Sequence, residues 1–182
     1  MVKTIGFMVR RPDITRAAFR EHYETRHAPM AVPLFPFRRY RRNHLIDQVV
    51  EPGFDCISEF WFDSLETIAT SMAGEAGATM RADERNFLDQ SAVRAAVARE
   101  ALPCPDETAA LCFFRRQDGE DGALEAACAG TGAGLDLLAP FDRPLPFDAI
   151  AARPPGVALP PPPSGWQAGP CLAVERCESA VR

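Results

Sequence analysis

The absences in this sequence narrow its chemistry first. No apolar run approaches the ~18 residues that a membrane helix needs. Met1-Val2-Lys3-Thr4 leads into a strand pattern, where a secretory leader would place a long apolar segment. The chain is therefore expected in the cytoplasm, with no membrane partner. It has no excess of positive charge. The formal net charge is -5, which removes the general electrostatic case for nucleic acid. Its cysteines, at 56, 104, 112, 128, 171 and 177, form no Cys-x2-Cys, so zinc-ribbon and thioredoxin readings fail. They are expected as reduced thiols packed as small hydrophobes. There is no phosphate loop and no dinucleotide glycine fingerprint. Ser58 and Ser64 lack the context of a nucleophile elbow. His22 and His27 lie five apart, off a common α-helical face, so no zinc pair is expected. No histidine stands out as a haem ligand. The expectation is a protein with no metal and no cofactor.

What remains is a chain of 182 residues, enough for one ordinary domain or two small units sharing a core. Val2, Ile5, Phe7 and Val9 mark a strand over 2–9, ended by Arg11-Pro12-Asp13. Thr15 can cap a helix over 16–28, whose Phe19, Tyr23 and His27 share one face. Pro29 fits its end, and the prolines at 33 and 36 read as a rigid connection. Residues 37–46 alternate: Arg38, Tyr40, Arg42 and His44 on one face, and Arg39, Arg41, Asn43 and Leu45 on the other. So few of them are aliphatic that composition alone makes a weak strand. Residues 54–62 form a clearer one. Asp63 opens a second helix, with Glu66 completing a capping box, and Gly74 and Gly77 end it. Residues 91–101 are alanine-rich and helix-prone by propensity.

The second half echoes the first. Val9-Arg10-Arg11-Pro12-Asp13 returns as Phe114-Arg115-Arg116-Gln117-Asp118, and Ala96-Val97-Ala98-Arg99-Glu100 as Ala173-Val174-Glu175-Arg176. Strands fit 109–115, 134–140, 147–152 and 170–177, with a short helix over 121–129. Where a second helix would fall, Pro154-Pro155 to Pro160-Pro161-Pro162-Pro163 favours an extended polyproline crossing.

Five motifs occur in order: Lys3-Thr4-Ile5-Gly6-Phe7; Phe19-x3-Tyr23-x3-His27-Ala28-Pro29; Arg39-Tyr40-x2-Asn43-His44; Glu59-Phe60-Trp61-Phe62-Asp63-Ser64; and Asp83-Glu84-x2-Phe87-Leu88-Asp89. Together they resemble the EthD domain family over roughly residues 1–102. The resemblance implies an α+β fold built of ferredoxin-like βαββαβ units, in the dimeric α/β-barrel superfamily. It makes 37–46 the second strand and 91–101 the fourth. It implies an EthD-like unit over 1–102 and, by the echoes, a degenerate second unit over 103–182 with the proline crossing at 154–163. In this superfamily two four-stranded sheets close one barrel, usually across a homodimer. A chain carrying two units closes it intramolecularly; the alternative is a homodimer.

The resemblance also implies a small hydrophobic or aromatic ligand in a barrel cavity and cofactor-independent chemistry, lyase-, cyclase- or oxygenase-like, on an aromatic or polyketide-like compound. The alternative is a non-catalytic ligand-binding or accessory protein of a catabolic pathway. His27, Tyr40 and His44 are the candidate catalytic residues: an imidazole titrates near neutrality, and a phenol can donate to a developing oxyanion. His27 can equally cap its helix C-terminus. Arg38, Arg42, Glu59 and Trp61 are the candidate substrate-binding residues. Alternation alone leaves open which face of the third strand, with Asp55, Ile57, Glu59 and Trp61, lines a cavity. Asp83, Glu84 and Asp89 read first as loop-capping and surface residues.

Overall fold

The computed structural model describes residues 1–46 and 51–181. Their order is β1 (Val2–Met8), α1 (Arg16–His22), a π-helical turn (Tyr23–His27), α2 (Ala28–Leu34), β2 (Arg39–Leu45), β3 (Cys56–Phe62), α3 (Leu65–Ala73), α4 (Glu75–Glu84), β4 (Arg94–Leu102), β5 (Ala110–Arg116), α5 (Asp121–Cys128), β6 (Gly134–Pro140), β7 (Ala149–Arg153) and β8 (Trp166–Ser179). The fold is α+β. Its strands are hydrogen-bonded in the order β1-β3-β2-β8-β5-β7-β6-β4, a closed antiparallel barrel with flanking helices. The chain divides into two compact units, one of residues 1–44, 51–94 and 177–181, the other of residues 45–46 and 95–176.

In the first unit β3 is central, antiparallel to both β1 and β2. Thr15 caps α1 by accepting the Ala18 N–H at 3.1 Å. The helical path does not stop at Pro29, contrary to the expectation. It passes through one π turn, in which the Ala28 N–H donates to the Tyr23 carbonyl, and continues as α2. Pro29 stands in the first turn of α2, where a missing amide donor costs little, and Pro33 lies inside that helix. Ser64, one residue after the expected cap, accepts the Thr67 N–H at 3.1 Å to start α3. Gly74 ends α3 in an extended conformation, but Gly77 ends nothing. It lies within α4, where a Cβ would collide with the backbone of Met72. Phe19, Tyr23, Tyr40, Cys56, Met80 and Phe87 belong to the core between these helices and the sheet.

In the second unit β5 pairs with β7 and β8, β6 with β7 and β4, all antiparallel. Residues 94–102 are strand despite their alanine content, because tertiary pairing overrides propensity. No helix forms between Pro154 and Pro163, as proline's missing donor and fixed φ require. The core holds Leu124, Leu135, Leu137, Ala149 and Trp166. One cysteine expectation is corrected. Cys112 and Cys171 face each other directly across β5 and β8 and are joined as a disulfide. The register that opposes them was not visible in their spacing. Cys56, Cys104, Cys128 and Cys177 carry no disulfide.

The turn entering β8 is held by one atom. The Gly165 carbonyl accepts the N–H groups of Gln117, Asp118 and Gly119 at 2.9, 3.3 and 2.9 Å. Gly165 has φ +79°, and a Cβ there would strike the Gly119 backbone. Left-handed strain of roughly 1–3 kcal/mol and that clash add together. Gly165→Ala is expected to lower unfolding stability by about 2 kcal/mol or more in denaturant titration, and Gly122→Ala, with open space around it, by less than half of that.

Candidate functional site

Register sorts the polar residues of the first unit onto two faces. Tyr40, Arg42 and His44 pair with Phe60, Ser58 and Cys56, and so share a face. Arg39, Arg41 and Asn43 pair with Trp61, Glu59 and Ile57 on the other. The first face carries the helices, since Tyr40 and Cys56 belong to the aromatic core. Thus the candidate residues do not form one cluster. His27, Tyr40, His44 and Arg42 gather on the helix side, and Glu59 and Trp61 on the opposite side. Arg38 joins neither: it precedes β2, is exposed, and pairs with Asp63 at 2.8 Å.

On the helix side the centre is Tyr23, from the π turn. The Tyr40 hydroxyl donates to the Tyr23 hydroxyl at 3.2 Å, and Tyr23 and Ser58 hydroxyls are hydrogen-bonded at 2.7 Å. The rings of His27 and His44 stand edge-on to Tyr23, with centroids 5.1 and 5.7 Å away. Burial pushes both phenols above their ordinary range; for Tyr40 the neighbouring Tyr23 adds to this, whereas Ser58 and Tyr40 partly offset it for Tyr23.

The next residue of the π turn, Glu24, binds two partners from β2. Arg42 donates to both its oxygens, Nε at 3.0 Å and Nη2 at 2.7 Å, and His44 Nε2 lies 2.6 Å from Oε1. Burial alone would raise this carboxyl, but the bonds from His44 and Arg42 outweigh it and hold it at about 2. Arg42 also donates to Ser179 Oγ at 2.8 Å and lies over the Tyr40 ring. One donor atom each from Glu24, His44 and Cys177 lies within 4.8 Å of the others, a set that could hold a metal ion.

His27 does not cap a helix end, because the helical path runs past it. Its Nδ1 lies 2.8 Å from Asp83, and His22 Nε2 reaches the other oxygen of the same carboxylate at 3.0 Å. Burial lowers the His27 imidazole, and Asp83 partly offsets that. The π turn explains how histidines five apart reach one carboxylate: it adds a residue to the turn between them. Asp83 is therefore a histidine partner rather than only a surface acid. Tyr23, Glu24 and Asp83 were missed as site residues. Tyr23 was marked in the Phe19-x3-Tyr23-x3-His27 stripe; nothing in the sequence marks Glu24 as inward.

The opposite face holds a second buried set. Lys3 Nζ lies 2.8 Å from Glu59, with side chains 3% and 4% exposed. The Asn43 amide donates to Glu59 at 2.7 Å. Trp61 lies under three cations, Lys3, Arg39 and Arg41, at 4.7, 5.4 and 5.7 Å. Arg41 and Arg39 pair with Glu178 at 2.7 and 2.6 Å. Among the described residues no helix is long and apolar enough to cross a membrane.

Residues 11–91 match the family model of the EthD domain. No curated protein matches the chain. Solved structures do. An anthrone oxidase-like protein is 11% identical with a TM-score of 0.54, over 97% of this chain and 92% of that one. A candidate monooxygenase from Lactobacillus acidophilus NCFM is 10% identical with a TM-score of 0.50, over 96% and 93%. An ethyl tert-butyl ether D (EthD) family protein from Bacillus halodurans C-125 is 21% identical with a TM-score of 0.46, over 55% and 99%. The two long matches share the fold.

The depressed Glu24 carboxyl makes a pH prediction. Its contribution to stability is fully present above the ordinary carboxyl range near 4.5 and is lost as pH falls through about 2. Glu24→Gln removes that dependence and leaves the buried Arg42 guanidinium unneutralised, a loss of about 3 kcal/mol at neutral pH. Denaturant unfolding between pH 2 and 7 should show the native protein weakening over this window, and the variant weaker at pH 7 and flatter below.

Proposed function

With an EthD domain over residues 11–91, we propose that this protein binds a small aromatic or polyketide-like molecule and carries out proton-transfer or oxygenation chemistry on it without a bound cofactor. The observation that carries the proposal is the set on the sheet face away from the helices: a buried carboxylate, Glu59, between an ammonium and an amide and next to an indole. Each group has a role there. The Trp61 ring offers a flat aromatic surface. Lys3 and Arg41 favour a phenolate or enolate. Glu59 accepts or returns the proton, oriented by Asn43. The shared fold of an anthrone oxidase-like protein and a candidate monooxygenase supports a small-molecule reading.

A second reading places the proton transfer on the helix side, at His27, Tyr40 and His44, with Arg42 holding the substrate anion. It is favoured by the Tyr40–Tyr23–Ser58 hydrogen-bonded run between two imidazoles. The two readings separate by mutation. The proposal also takes residues 1–102 as the EthD-like unit and 103–182 as its degenerate copy, in which the order β5-α5-β6-β7-β8 lacks a second helix. One chain then completes the barrel.

Mass spectrometry of small molecules that copurify with the native protein should identify an aromatic compound. Against that compound Glu59→Gln, compared as folded protein checked by circular dichroism, is expected to lose roughly 10²-fold or more in kcat, while Tyr40→Phe changes stability and little else. The reverse pattern would move the chemistry to the helix side. Ligand recovered with no turnover would make the protein a ligand-binding accessory. Light scattering is expected to report a monomer of 19.9 kDa; a homodimer whose N-terminal sheets pair across the two chains, with residues 109–177 outside the barrel, would overturn closure by one chain.

A further inference from the structure

We propose that Glu24, His44 and Cys177 form a site for a divalent transition metal, independent of the ligand face described above. Each presents a donor of a different kind — carboxylate oxygen, imidazole nitrogen, sulfur — and one such atom from each lies within 4.8 Å of the other two. In a tetrahedral site with bonds of about 2.0–2.3 Å, donors stand roughly 3.3–3.8 Å apart. The Glu24–His44 contact of 2.6 Å has to open by about an ångström to admit the ion. His44 is 2% exposed and meets Glu24 through Nε2, the nitrogen that would face the ion; its Nδ1, on the other side of the ring, has no hydrogen-bond partner among the described residues and takes no part in the site.

The chemistry of the set selects the ion. Mixed nitrogen, oxygen and sulfur donors suit zinc or cobalt(II) and disfavour magnesium or calcium, which require oxygen shells. Binding converts the Cys177 thiol to thiolate and releases its proton to solvent. Thiolate and carboxylate together then neutralise the dication. Arg42 keeps its bond to Glu24 Oε2 and orients the carboxylate from behind, the part that outer hydrogen bonds play around metal ligands. Three protein donors leave a fourth position for water or a small anion. The site ties the end of β8 to the π turn and β2, because Cys177 comes from the first, Glu24 from the second and His44 from the third.

The test uses the full chain and metal alone. Cobalt(II) added to metal-free protein is expected to bind with one equivalent and give thiolate-to-cobalt charge-transfer absorption, and zinc should displace it. Cys177→Ser should abolish that absorption, while Cys104→Ser should retain it. Glu24→Gln should weaken cobalt binding at least tenfold. Since Glu24→Gln also weakens the fold, Cys177→Ser is the deciding variant; its half-exposed position makes a folded protein expected, checked by circular dichroism. Failure to bind cobalt(II) at micromolar protein, or charge-transfer absorption that survives Cys177→Ser, would overturn the site. Neither result bears on Glu59, so this inference and the ligand reading fail separately.

Discussion

The first unit depends on neutralising a buried strand of charge. β2 reads Arg39-Tyr40-Arg41-Arg42-Asn43-His44-Leu45, and Tyr40 through Leu45 are all buried. Two guanidiniums at this depth would each cost several kcal/mol if left alone. They are tolerated because carboxylates arrive from both faces. Glu24 comes from the helix side to Arg42 and His44, and Glu178 to Arg41. Asn43 completes the strand by donating to Glu59, itself neutralised by Lys3. The pairing constrains the neighbouring elements: the π turn must present Glu24 inward, and the end of β8 must bring Glu178 and Ser179 beside β2.

The π turn follows from that demand. Tyr23, Glu24 and His27 all lie in it, and each has a partner: Ser58 and Tyr40, Arg42 and His44, and Asp83. In a regular α-helix adjacent residues project about 100° apart, so Tyr23 and Glu24 would not both reach the sheet so readily. One extra residue in the turn widens the arc directed at β2 and β3. Turns of this kind concentrate at functional sites because irregular backbone persists only where surrounding contacts over-determine it.

The legibility of the sequence followed from the range of the interactions involved. Elements that rest on local pattern were readable: β1, β3, the start of α1 and the elements of the second half lie within a few residues of the expected limits. Motif order gave β2 and β4 where propensity argued against them. Three things were hidden, all for the same reason. The continuation of the first helix past Pro29 depends on a π turn stabilised from outside. The Cys112–Cys171 bond depends on register between strands 59 residues apart. The role of Glu24 depends on Arg42 and His44, which no helical periodicity relates to it. Alternation did place Tyr40, Arg42 and His44 on one face and Asn43 on the other, but it could not say which face carries the helices.

That last distinction bears on mechanism. The helix face is closed by aromatic packing around Phe19, Tyr23 and Phe87, and its Glu24 carboxylate is taken up by Arg42 and His44. A tyrosine whose proton is held by burial and by another tyrosine is a poor acid, and a glutamate held at about 2 is a poor base near neutrality. The opposite face is different in kind. There one carboxylate, one ammonium and one amide adjoin an indole, and Lys3, Arg39 and Arg41 all lie over Trp61. The helix side can be rigid because the Glu24 carboxylate and the Arg42 guanidinium are matched to each other, while on the other side Lys3 and Asn43 hold Glu59 beside the Trp61 ring.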